Sequence, residues 1–159
     1  MEEIQGELDL PNATFGDEPI GNIDKEKFSQ SIRLLQAINY DAELVVINLK
    51  RKYDRVRPSF LDKKLQLAIE NPKHPAYPSG HSTQAHLIAL VLGDLNPKKK
   101  EQYWKNANRI AHNREIAGVH YPSDTQAGIS LAKQLHAILN ADTQYLRLLS
   151  MAQDEWGNE

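Results

Sequence analysis

Three short stretches of the chain carry side chains suited to holding a tetrahedral oxyanion and attacking it. In the first, Lys50 is followed seven residues later by Arg57 and then Pro58. Seven residues is close to two helical turns, so on a continuous helix the two cations lie on nearly one face and converge on one anion. A lysine and an arginine at that spacing equally describe a solvated face. In the second stretch, Pro78-Ser79-Gly80-His81 stands where the most apolar helix must begin. A helix start offers unpaired N–H groups and the positive end of the dipole, and a glycine lets an anion approach the backbone. That describes a phosphate cradle with an imidazole beside it. The plainer alternative is an ordinary Ser79 N-cap and a His81 on the surface of the first turn. The third stretch runs from Arg114 through His120 to Asp124. A nucleophilic histidine needs one ring nitrogen free for attack and a partner on the other to fix its tautomer and stabilise the cation that forms. Asp124, just past a turn at Pro122, is placed to be that partner; taken alone it is equally an N-cap, with His120 a loop residue.

In order and spacing, the three fragments resemble the tripartite signature of the type 2 phosphatidic acid phosphatase and vanadium haloperoxidase superfamily. The stretches Ala76 to Ser82 and Asn113 to Asp124 look most like bacterial class A non-specific acid phosphatases, and the likeness covers about Lys50 to Leu135. The resemblance implies that Lys50, Arg57 and Arg114 bind phosphate oxygens, helped by Ser79 and the backbone of Gly80. It implies that His120 attacks phosphorus, Asp124 orients it, and His81 protonates the departing alkoxide and later activates water. The activity so implied is hydrolysis of phosphate monoesters through a phosphohistidine, with phosphotransfer to an alcohol as a variant. No metal or other cofactor is implied, and vanadate is expected to bind as a phosphate mimic. A neutral His120 beside a protonated His81 implies activity that falls on both sides of a mildly acidic to neutral optimum. The family's third element usually opens with serine, whereas this chain has Asn113, a longer, planar group that can still donate to phosphate. Two other readings use the same pocket: a vanadate-dependent haloperoxidase, whose usual halide-site features and greater length are not seen, and a phosphate-binding domain with weak turnover.

Composition narrows the classes. With no cysteine among 159 residues, a disulfide framework, a thiolate zinc site and a cysteine nucleophile are all ruled out. The formal charge of -2 gives no overall field that would draw in nucleic acid or an anionic membrane. Apolar runs such as Leu87 to Leu92 fall far short of the roughly 20 residues of a membrane span, so the chain reads as soluble, without membrane insertion. The expected partner is a small-molecule phosphate ester, and a homo-oligomer is left open. Met1 to Glu7 lack the basic start and apolar stretch of a secretory signal, which leaves the cytoplasm open, while the resemblance implies the periplasm.

The elements that must position these groups are helices. Residues 1–23, with Pro11, Gly16, Pro19 and Gly21 among acids, show no period and read as an irregular arm. Residues 24–159 read as one helical domain resembling the acid phosphatases. Phe28, Ile32, Leu35, Ala42, Val45, Val46 and Leu49 mark an amphipathic helix from an Asp24 N-cap to about Lys52. A short helix is expected around Leu61 to Glu70, then an extended loop held by Pro72, Pro75 and Pro78. A central core helix capped by Ser79 runs to about Asn96, and another spans Lys98 to about Ala117 with Gly118 behind it. Ser123 or Asp124 opens a helix through Leu139, and a last one runs from Asp142 to about Trp156. No β-alternation of useful length appears, so the class is all-α, a single-domain helical bundle. No pair of histidines shows an i, i+4 metal-ligand spacing. His74, His86, His112 and His136 read as structural or surface residues, with His74 nearest the pocket, and Tyr77 and Tyr121 as groups that pack on a substrate or in the wall.

Overall fold

The computed structural model describes residues 27–157, together with two short strands, β1 (Thr14–Phe15) and β2 (Glu18–Pro19), which pair antiparallel. Those four residues form a small ladder within the segment expected to be irregular; the rest of that segment, and the Asp24 cap, lie outside the described residues. The remainder is helical, as the periodicity predicts: α1 (Ser29–Tyr53), α2 (Pro58–Leu61), α3 (Gly80–Leu95), α4 (Lys100–Ile116), α5 (Pro122–Leu139) and α6 (Thr143–Gln153). A turn of 3-10 helix, Pro97–Lys99, leads into α4.

The central helix is α3. Ala85, Leu87, Ile88, Ala89, Val91 and Leu92 point in every direction around it and are all buried, which requires neighbours on all sides. α1, α4 and α5 supply them. The buried stripe of α1 runs Ser31, Leu35, Ile38, Ala42, Val46 and Lys50, so Ile32, Val45 and Leu49 are only half-buried flanks. A stripe that is apolar for four turns thus ends in a lysine. Among the described residues, no helix is long and apolar enough to cross a membrane.

Three expectations are corrected. α1 stops at Asp54, whose left-handed backbone (φ 44°) turns the chain while its N–H bonds to the Lys50 carbonyl. Lys50 and Arg57 therefore do not share a helical face. The helix expected over Leu61 to Glu70 does not form; α2 is a single turn with Pro58 at its first position. Beyond it Leu67 and Ile69 are half-buried between exposed neighbours, in a stretch that turns at Lys63–Lys64 and bends at Ala68–Ile69. This irregular stretch lies on the end of α4, where Ala68 N–H donates to the Ala117 carbonyl at 3.3 Å. Gly118 has φ +76°, and a Cβ there would come within 3.0 Å of Leu67 Cδ2, so both conformation and space require glycine. Finally, α5 opens at Pro122 with an extended Tyr121 as N-cap, which puts Asp124 in the first turn instead of at the cap.

Helix α1 has no local side-chain cap; its N-cap residue is Phe28. The carboxylate of Glu155, beyond α6, does that work. It accepts from the N–H groups of Gln30 (2.7 Å) and Ser31 (2.9 Å) and from Ser31 Oγ (2.7 Å). Trp156 beside it donates to Ser31 Oγ at 2.9 Å and packs on Phe28 with ring centroids 4.7 Å apart. A carboxylate on orphan N–H groups at the positive end of a helix is worth about as much as a strong N-cap. Glu155→Ala is expected to lower stability by about 1–2 kcal/mol, measured by urea denaturation. An unchanged midpoint would mean that solvent caps α1 equally well.

Candidate active site

The chain reversal after α1, the start of α3 and the turn between α4 and α5 meet at one end of the bundle. They enclose a cavity of about 290 Å³. Of the nine side chains singled out from the sequence, Lys50, Gly80, His81, Arg114 and His120 line it. Arg57, Ser79 and Asp124 are buried and do not line it; Asn113, in the last turn of α4, is half-buried and does not either. The two imidazoles and two of the three cations therefore share one cavity. At Gly80 an added Cβ would lie 3.5 Å from Val46 Cγ1 and 3.7 Å from Gln84 Oε1, ordinary contacts, so glycine there leaves room in the cavity. Ser79 Oγ accepts from Ser82 N–H at 3.3 Å and caps α3.

The proline-held loop supplies carbonyl oxygens to the buried cations. Proline has no N–H, and an extended segment turns its carbonyls outward. Lys50 Nζ donates to the carbonyls of Pro75 (2.8 Å) and Ala76 (3.1 Å). Arg57 donates from Nε to the His74 carbonyl (2.9 Å), from Nη1 to the Val119 carbonyl (2.6 Å), and from Nη2 to His74 Nδ1 (3.1 Å). Arg57 thereby ties the loop to the residue before His120. A guanidinium can only donate, so His74 Nδ1 accepts and its ring is neutral. Two of the three ammonium hydrogens of Lys50 are used in this way, and among the described residues the third has no partner. Burial pushes the Lys50 ammonium down to about 7, with Arg57 adding to the effect. Burial, then Arg114, lower Arg57 to about 10.

Around His120 the order of groups is more specific. His120 Nδ1 lies 3.2 Å from Asp124 Oδ2. A carboxylate only accepts, so the proton sits on Nδ1 and the Nε2 lone pair of the neutral ring is the one left for the cavity. The first-turn position of Asp124 also brings its Oδ2 to Tyr121 N–H at 3.0 Å. Its Oδ1 accepts from Arg55 Nη1 at 2.7 Å. Desolvation raises the Asp124 carboxyl, but the hydrogen bonds from His120 and Tyr121 and the nearby positive charges outweigh it, and the net shift is downward. Burial, first, and the Lys50 and Arg57 charges lower His120 to about 4 against the opposing pull of Asp124. His81 is held down to about 3 by burial and then by Arg114, His120 and Lys50. Burial and the neighbouring cations thus favour the neutral form of both imidazoles.

The profile of the PAP2 superfamily matches residues 33–147, a span that holds every group of this site. The chain belongs to the PAP2 superfamily. It is 30% identical over 131 residues to the non-specific acid phosphatase of Providencia stuartii, covering 78% of this chain and 52% of that one. It is 31% identical over 111 residues to the acid phosphatase of Zymomonas mobilis, covering 67% and 42%. The decaprenylphosphoryl-5-phosphoribose phosphatase of Mycobacterium tuberculosis is 27% identical over 100 residues, covering 63% and 54%. The chain thus spans about half the length of the curated relatives it matches. Among solved structures, the transmembrane PAP2-type phosphatidylglycerolphosphate phosphatase of Bacillus subtilis superposes with a TM-score of 0.57 at 25% identity, over 73% of this chain and 62% of that one.

The remaining histidines of this PAP2 chain have other partners. His74 does edge the cavity. His86 bonds through Nδ1 to the Ser82 carbonyl at 2.7 Å and packs edge-on against Trp104. His136 pairs with Asp94 at 2.7 Å, and His112 lies 3.6 Å from Glu115. Neither tyrosine faces the cavity: Tyr77 packs edge-on against Tyr53, and the Tyr121 ring lies under Arg55, whose guanidinium carbon is 4.2 Å from its centroid.

Two residues that place the site escape the sequence reading. Gly128 lets α5 touch α3, since a Cβ there would stand 2.7 Å from Ser82 Cβ and 2.8 Å from the Ser79 carbonyl. A lone glycine inside a helical pattern is the only trace of this in the sequence. Arg55 has no sequence signal at all; it bridges Ser123 Oγ and Asp124 Oδ1, each at 2.7 Å. Removing its charge frees Asp124 to hold an imidazolium more strongly. Arg55→Gln is expected to raise the imidazole pKa of His120 by roughly half a unit, followed by NMR titration. An unmoved titration would mean that Arg55 only braces the turn.

Proposed function

We propose that this chain hydrolyses phosphate monoesters through a phosphohistidine at His120. The observation that carries this reading is the shared cavity: the His81 and His120 imidazoles, Lys50 and Arg114 line it together, and His120 is tied by Nδ1 to a buried carboxylate. Phosphoryl transfer depends chiefly on position and on charge at the three equatorial oxygens. Lys50, Arg114 and, one layer behind, Arg57 supply positive charge, as a divalent cation does elsewhere, so the reaction proceeds without a metal. The N–H groups at the start of α3 add their dipole. The acid phosphatase relatives support the same chemistry.

In the first step a bond forms between His120 Nε2 and phosphorus as the ester P–O bond breaks, and His81 gives its proton to the departing alkoxide. In the second, water attacks phosphorus, the N–P bond breaks, and His81 takes the water proton. An alcohol in place of that water gives phosphotransfer. Since burial and Arg114 favour a neutral His81, its first proton arrives with the substrate. A phosphate monoester has its second ionisation near 6, so its monoanion carries one proton in. The dianion left on passing that proton to His81 stabilises the imidazolium.

The pH dependence follows with its sign. kcat/KM reports the free enzyme. It is expected to rise as the pH climbs through about 4, where His120 loses its proton. It is expected to fall above about 6, where the free substrate loses the proton that it must carry in, and further above about 7, where Lys50 loses its charge. A profile flat from 4 to 8 would remove this assignment. His81→Ala is expected to slow hydrolysis of an alkyl phosphate by roughly 10²–10⁴-fold and that of nitrophenyl phosphate much less, because nitrophenolate leaves without an acid. Equal losses on both substrates would take the proton donor's role from His81. EDTA, vanadate competition and a bromide-oxidation assay accompany these measurements.

A further inference from the structure

The cavity is unlike at its two ends. Along one face of α1 its wall runs Asn39, Glu43, Val46, Ile47 and Lys50, residues that share a face by helical spacing. Read from the rim inward, this is two oxygen acceptors, two apolar side chains and a cation. Among the described residues the Glu43 carboxylate has neither a hydrogen bond nor an ion pair, and Asn39 Oδ1 is shut off from solvent with no donor. Opposite, Gln84 on α3 places its amide oxygen over Gly80. Positive charge gathers at the buried inner end, with Lys50 and Arg114, and the exposed Glu43 carboxylate stands at the rim.

From this polarity we propose that the rim selects the leaving group, and that the preferred substrates are phosphate monoesters of short amino alcohols. The proposal rests on the phosphatase reading above. With phosphate at Lys50 and the start of α3, the ester oxygen points toward the rim. Glu43 is seven residues, roughly 10 Å of helix, from Lys50, and the lysine side chain leans back toward it. The gap fits a chain of roughly two to four atoms. Its methylenes lie on Val46 and Ile47, and an ammonium at its end meets the exposed Glu43 carboxylate. A leaving group with a second negative charge meets the same carboxylate unfavourably.

The test compares O-phosphoethanolamine with propyl phosphate, its near-isostere without the charge, on the wild type and on Glu43→Gln, with inorganic phosphate binding measured alongside. The wild type is expected to favour O-phosphoethanolamine about three- to tenfold in kcat/KM, less at high salt. Glu43→Gln is expected to bring that ratio close to one. Equal use of the two esters by the wild type, or a preference that survives the substitution, would overturn the proposal. If the wild type binds inorganic phosphate but hydrolyses neither ester, the phosphatase reading fails. The rim is then judged by calorimetric affinities for the same two esters, with the same ratio and the same collapse expected, and equal affinities would sink it.

Discussion

Positive charge buried in excess of negative charge is the constraint around which this molecule is arranged. Lys50, Arg57 and Arg114 are almost wholly enclosed, beside two imidazoles, with Asp124 the buried carboxylate among them. Isolated charges do not survive burial at such density unless they are neutralised or given dipoles. Both remedies are present. The carbonyls of the 74–76 loop and of Val119 turn toward the cations. The pKa values of Lys50, Arg57, His81 and His120 all move in the direction that sheds protons. A tetrahedral dianion would offset that excess of positive charge.

The bundle exists to hold that imbalance in place. Each group comes from the end of an element, where backbone dipoles are unpaired and the chain can turn. Lys50 closes the buried stripe of α1, His81 follows the cap of α3, Arg114 lies in the last turn of α4, and Asp124 lies in the first turn of α5. Their meeting depends on contacts far apart in sequence. Gly128 lets α5 lie against the start of α3, and Arg57 spans from the proline loop to Val119. At the far end Glu155 and Trp156 fasten the start of α1, so the helix bearing Lys50 is anchored from the C-terminal side of the chain. The groups that line or brace the cavity fall between Asn39 and Gly128, inside residues 33–147 that match the PAP2 superfamily.

Much of this was readable from the sequence, for a physical reason. Helical periodicity is local, so the five long helices and the Ser79 cap follow from residues three and four apart. The family and its three fragments follow from residue types in order. What the sequence misplaced was how the parts meet. Lys50 and Arg57 look like one helical face, yet a left-handed Asp54 ends the helix between them and a chain reversal brings them together. Leu61 to Glu70 has helix-forming composition, but the chain there is irregular and its Leu65 and Leu67 side chains settle over Gly118. Tyr77 and Tyr121 stand beside Gly80 and His120 in sequence, yet neither lines the cavity in space.

The sequence by itself determined the helices, the kinds of chemistry-bearing groups and their order. Tertiary structure alone decided that Arg55 grips Asp124, that burial beside Arg114 favours a neutral His81, and that a carboxylate at the rim faces a cationic floor. The reason is the range of the forces involved. Propensity and capping act within a turn or two, whereas a pKa, a cavity and an ion pair depend on whatever the fold brings within a few ångströms, however distant in the chain.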